Sequence, residues 1–105
     1  MGAMACQPCS TVSLMPRIAA PRDLTRAIRS VREAMDAGVL AESDYWPKGQ
    51  PRFTSVPFSR LSESGGWEDI VQYYFQCTSC GQRFRLVAET YRGSGGELSP
   101  DDDPA

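Results

Sequence analysis

The chain contains no histidine among its 105 residues. That absence excludes a Ser-His-Asp or Cys-His nucleophile within this chain. It excludes a mixed His/Cys metal site and removes the usual proton shuttle near neutral pH. Long apolar runs are also missing. No stretch nears the roughly 18 apolar residues of a membrane helix, and no basic segment followed by an apolar one marks a secretory signal. The expectation is a chain with no membrane partner. Net charge is only −2 and is unevenly spread. Residues 1–60 hold eight Arg/Lys against five Asp/Glu, and residues 61–105 hold three against eight. An acidic whole disfavours strong non-specific binding to nucleic acid but leaves room for a local basic patch.

A length of 105 residues suits one modest domain, and 41% apolar content gives it a small core. The clearest periodicity lies at 22–37. Leu24, Ala27, Ile28, Val31 and Met35 share one face at helical spacing, with Arg22, Arg26, Arg29 and Glu33 opposite. Pro21 suits the first helical turn, Asp23 is a rival N-cap, and Gly38 suits a left-handed C-terminal cap. Residues 42–66 read as a long loop, with "FTSVPF" as a short edge strand. "WEDIVQYYFQ" and "QRFRLVAETY" alternate like strands. Val71, Tyr73 and Phe75 share one face, and Ile70, Gln72, Tyr74 and Gln76 the other. Phe84 and Leu86 complete the expected core. Residues 1–92 are expected to form a single domain and 93–105 a disordered acidic tail.

The four cysteines form two C-x-x-C pairs, Cys6/Cys9 and Cys77/Cys80. In such a knuckle two thiolates point the same way from a tight turn. Gly81 after Cys80 suits a residue needing positive φ, whereas Ser10 follows Cys9. Together the pairs offer four sulfurs to one tetrahedral Zn2+. Four-cysteine zinc patterns usually separate the pairs by roughly 15–20 residues; here 67 residues intervene. Ring-closure entropy grows only logarithmically with length, whereas a structural zinc contributes on the order of 10 kcal/mol. One such ion, closed to water, would be structural rather than catalytic, so the chain is not expected to be an enzyme. Three rivals stand beside zinc. "CQPC" has the form of a thiol redox site, which should follow a strand and open a helix. Disulfides need an oxidising compartment. Iron also accepts four thiolates.

At "YYFQCTSCGQRFRL" the sequence resembles a zinc ribbon: strand, C-x-x-C-G, strand. The missing glycine after Cys9 and the long insert depart from the compact form. More loosely, "CTSCGQRFRLVAETYRGSGG" resembles the end of small bacterial proteins with a split zinc ribbon, among them immunity proteins that neutralise a toxin from the same locus. That resemblance implies a cytoplasmic, non-catalytic chain with a protein partner. The expected fold is α+β: one amphipathic helix on a small antiparallel sheet, with a split four-cysteine zinc ribbon.

Candidate partner-binding residues are Tyr45 and Trp46 in the proline-rich loop "DYWPKGQPRF", Arg52 beside them, and Tyr74, Arg83 and Arg85 on the hairpin. Loop aromatics often dominate protein interfaces. Arginines interleaved with aromatics also suit nucleic acid, though strand alternation alone points arginines outward. The stripe Arg22–Arg26–Arg29 reads as a solvated helix face. "RGSGG" lacks the G-K-[ST] ending of a phosphate loop. Glu68 and Asp69 would point to opposite faces of a strand, which makes a poor acid/base pair.

Overall fold

A computed structural model describes residues 7–52, 54, 56–90 and 95–101. Its elements are a helix α1 (Pro21–Asp36) and strands β1 (Leu40–Glu42), β2 (Ile70–Cys77), β3 (Arg83–Glu89) and β4 (Gly95–Pro100). Single 3-10 turns occupy Cys9–Thr11 and Phe58–Arg60. The strands form one antiparallel sheet in chain order, and α1 covers one face of it. This is the expected small α+β architecture. No helix among the described residues is long and apolar enough to cross a membrane.

Local signals set both ends of α1. Pro21 sits in the first turn, where its missing N–H is not needed. Asp23 acts from the third helical position, its carboxylate accepting from the Ala19 and Ala20 N–H groups at 3.0 Å each. A negative charge there also suits the positive end of the helix dipole. At the other end Gly38 adopts φ 77°. The Gly38 N–H then donates to the Met35 carbonyl and the Val39 N–H to that of Ala34, a Schellman closure. Leu24, Ala27, Ile28, Val31 and Ala34 face the sheet and are buried, while Met35 in the last turn is only partly covered.

The sheet has two chemically different faces, because side chains alternate along each strand. Val71, Tyr73, Phe75, Phe84, Leu86 and Leu98 pack beneath the helix. Fully burying a side chain such as Leu86 contributes about 1.5–3 kcal/mol. Tyr74 is also buried, at 4% exposure, but on the opposite face and outside that core.

The long loop departs from expectation. Of "FTSVPF", Phe53 and Ser55 lie outside the described residues; Val56 and Pro57 join no strand, and Phe58 opens a 3-10 turn. Pro57 removes a backbone donor that a strand would need. Arg32 holds this loop instead. Its guanidinium donates to the carbonyls of Phe58 and Leu61, pairs with Glu63 at 2.7 Å and stacks on the Phe58 ring. Arg29 is exposed, as expected of its stripe, yet also reaches Glu63 at 3.0 Å.

The C-terminal tail gives the largest difference. Residues 95–100, expected to be disordered, form β4 against β3. Leu98 is fully buried on the core face. Acidic side chains that suggested a solvated tail instead meet arginines: Glu97 pairs with Arg85 and Asp101 with Arg83. β4 also receives the N-terminal segment. Met15 exchanges both backbone hydrogen bonds with Leu98, at 3.0 and 2.7 Å, and the Ile18 N–H donates to Gly96 at 2.8 Å. Gly96 is required there. Its φ is 152°, and a Cβ would press on the Val87 carbonyl and come within 2.8 Å of the Ala88 Cα.

Gly96→Ala is therefore expected to destabilise the chain by about 2 kcal/mol or more, since backbone rather than a flexible side chain must shift. Urea unfolding of the two forms measures this; an unchanged midpoint would contradict the close packing of β4 on β3. A second expectation concerns Tyr73, whose phenol donates to the Val56 carbonyl at 2.6 Å. Burial, with help from the Glu42 and Glu68 charges, pushes its pKa up to about 12 from 10.0. The unfolded chain releases this proton first, so the contribution is complete below pH 10 and is lost as pH rises through about 12. Urea midpoints across that range should fall less steeply in Tyr73→Phe.

Candidate metal centre and outer sheet face

Cys77 is the last residue of β2, and the chain turns at once. The Cys77 N–H still donates to Gln82 at 2.8 Å, so the hairpin ladder runs to the base of the knuckle. The Gly81 N–H returns to the Cys77 carbonyl at 3.0 Å, and Gly81 takes φ 81°, as expected of the residue after the second cysteine. The Ser79 N–H donates to the Cys77 sulfur at 3.4 Å. Such a bond favours the thiolate by spreading its charge. Thr78 anchors the knuckle to the end of α1. Its N–H bonds the Val39 carbonyl at 2.9 Å and its hydroxyl the Gly38 carbonyl at 2.6 Å.

Cys9 arrives from the other end of the chain. It opens the 3-10 turn Cys9–Thr11, which the Thr11 and Val12 N–H groups close onto Pro8 and Cys9. Its sulfur lies 3.7 Å from that of Cys80, and the sulfurs of Cys9, Cys77 and Cys80 all fall within 4.8 Å of one another. A tetrahedral ion with metal–sulfur bonds of about 2.3 Å would space its sulfurs about 3.8 Å apart. Three cysteines therefore lie close enough to hold one metal ion. Cys9 and Cys77 are buried at 2% exposure and Cys80 is exposed. Bringing thiolates together at low dielectric is costly without a cation, and a bound ion removes that cost. Cys6, the fourth expected ligand, lies outside the described residues.

The six residues expected to bind a partner converge on the outer face of the sheet. Tyr45 and Trp46 fold over Tyr74, edge to face, at centroid separations of 5.0 and 5.4 Å. Arg83 stacks on Tyr45 at 3.6 Å and Arg52 on Trp46 at 4.4 Å. Arg85 lies opposite Tyr74 in the strand register and pairs with Glu97 at 3.0 Å. The Ser99 hydroxyl, then Arg85, hold the Glu97 carboxyl below its ordinary range. Loop aromatics and hairpin arginines thus belong to one surface, about which the sequence was ambivalent. Three contributors went unnoticed in sequence: Glu97 and Asp101, hidden in an apparent tail, and Thr54, whose role at the β2 edge has no sequence signal.

No protein-family model, curated protein or solved structure matches this chain.

The purified chain is expected to carry about one equivalent of a thiolate-bound metal ion by elemental analysis. Less than about half an equivalent would undermine the centre. Cys77→Ser should lose the ion and, because the ion braces a small core, much of the cooperative unfolding transition. Cys80 is exposed, yet its alkylation should be slow until a chelator is added.

Proposed function

We propose that this chain is a non-catalytic protein-binding module, braced by one structural zinc on Cys6, Cys9, Cys77 and Cys80, and that it serves as an immunity protein against a toxin encoded beside it. The observation that carries the binding part is the convergence of Tyr45, Trp46, Arg52, Tyr74, Arg83 and Arg85 on one face. Rigid aromatics and stacked guanidiniums are the side chains that concentrate binding energy at protein interfaces. The zinc part rests on chemistry. Thiolates from two C-x-x-C pairs suit a soft-ligand tetrahedral ion, and a closed four-sulfur shell leaves no place for substrate or activated water. The immunity role rests on the split-ribbon resemblance. A cytoplasmic location goes with that role.

A second reading has an observation of its own: guanidinium–aromatic stacks also suit single-stranded nucleic acid. Charge favours the protein partner. Arg83 and Arg85 are already paired with Asp101 and Glu97, and Arg29 and Arg32 with Glu63. The hairpin guanidiniums of this face are thus already neutralised, which reduces the counterion release they could drive on phosphate. A redox role for the Cys6/Cys9 pair has less support. Cys9 opens a three-residue turn rather than a long helix, and the Cys80 sulfur is 3.7 Å from its own.

Co-expression with the product of the adjacent gene tests the proposal. A stoichiometric complex and protected growth are expected, and Trp46→Ala should weaken the complex about 10-fold or more while leaving metal content unchanged. Absence of both complex and protection would overturn the immunity reading; salt-sensitive retention on a nucleic-acid column would shift it to the second.

A further inference from the structure

Strand β2 is eight residues long, but β1 covers only its last three. The Ser43 N–H extends the ladder by one bond, to the Tyr74 carbonyl at 2.9 Å. Beyond that point no strand among the described residues lies on this side of β2. Parity along the strand fixes what faces the gap. Cys77 bonds toward β3 and Tyr74 toward β1, so the odd residues serve the hairpin and the even ones the open side. The backbone groups of Ile70 and Gln72 therefore face outward from the sheet.

One side chain stands in for the missing strand. The Thr54 hydroxyl accepts from the Gln72 N–H at 3.0 Å and donates to the Ile70 carbonyl at 2.6 Å. No described group donates to the Gln72 carbonyl. A lone hydroxyl is a weak seal for an exposed edge, which is by nature a template for another strand. A pocket of about 260 Å³ opens at this place; Glu42, Trp46, Arg52, Thr54, Val56 and Gln72 are among the residues that wall it. Val56 is one of two large apolar side chains left exposed among the described residues. Arg52 is exposed, rests on Trp46 and has no carboxylate partner among the described residues, unlike Arg29, Arg32, Arg83 and Arg85.

We infer that the β2 edge at Ile70–Gln72 receives an extended acidic segment of a partner protein. The segment adds as a strand beside β2, takes over the two bonds now made by Thr54, and places a carboxylate on Arg52. Backbone pairing supplies the docking and Arg52 the selectivity for an acidic side chain, as in other strand additions to a sheet edge. The inference rests on the protein-binding reading and specifies where and how that binding occurs.

The probe is a capped seven-residue peptide alternating threonine and valine, with one aspartate at its end. It is titrated into the 15N-labelled, zinc-loaded full chain. The Ile70 and Gln72 amide signals and the Arg52 Nε–H signal are expected to move together. A peptide with asparagine for aspartate should bind at least about 5-fold more weakly, and Arg52→Gln, an exposed change, should erase that difference. Absence of shifts, shifts confined to another surface, or equal affinity of the two peptides overturns the inference. Failure here is separable from failure of the wider reading. A chain that protects against the toxin but ignores the peptide loses only the edge site. One that binds the peptide as stated but gives no protection loses only the immunity role.

Discussion

Sulfur from opposite ends of the chain meets at one point, and the rest of the molecule is arranged around that closure. Cys9 has no regular element to carry it; the turn it opens is three residues long. What brings it to the β2–β3 knuckle is the chemistry at the knuckle and the ladder that follows. Between Cys9 and α1 the chain is fastened again at Ser13, whose carbonyl accepts from the Ser30 hydroxyl of α1, and at Met15 and Ile18, both to β4. A free segment of this length would lose of order 1 kcal/mol or more per ordered residue. Ties at Cys9, Ser13, Met15 and Ile18 share that cost. They also explain why β4 exists: it lies between β3 and the N-terminal segment and buries Leu98 beneath the helix.

The two faces of the sheet divide the work. Under α1 the side chains are apolar and buried, with Phe58 from the long loop filling the space beside Tyr73 and Phe75. On the other face a tyrosine is buried by loop aromatics, and the arginines around it are neutralised across strands β3 and β4. The more exposed of these pairs, Arg85–Glu97, contributes little stability, whereas Arg83–Asp101 is largely covered. Their greater effect is to fix where guanidinium planes lie, which keeps Tyr45 and the strand surface in register.

The helix, the β2–β3 hairpin and their shared core were legible because their signals are local. Apolar spacing, a proline, a glycine and alternating strands each act within a few residues. β1 was not legible: three residues are too few to show a period. β4 was hidden for a different reason. "GGELSP" has the composition of a tail, and its pairing depends on a bare Cα at Gly96 fitting over Val87 and Ala88, which no local rule reveals. At the candidate site, the cysteine spacing announced that the thiols would cluster, and the aromatics singled out the loop over Tyr74. The sequence was silent on geometry. It did not say that loop and hairpin candidates would stack on one another, or that Thr54 would seal a strand edge from 18 residues away.

Separation of the sulfur cluster from the outer sheet face has a mechanical consequence. The sulfur cluster sits at the tip of the hairpin, which Thr78 ties to the end of α1. The loop over Tyr74 is held by other means: ring contacts, one tryptophan N–H on the Gln50 carbonyl, and the Arg32 anchor farther along. None of these passes through sulfur. Loss of a ring contact therefore alters the outer face while leaving the cluster intact. Loss of the cluster frees the N-terminal segment first and weakens β4 next, and with it the carboxylates that position Arg83 and Arg85. The outer face thus depends on the cluster by two routes, the hairpin turn beside Arg83 and β4, the strand least visible in the sequence.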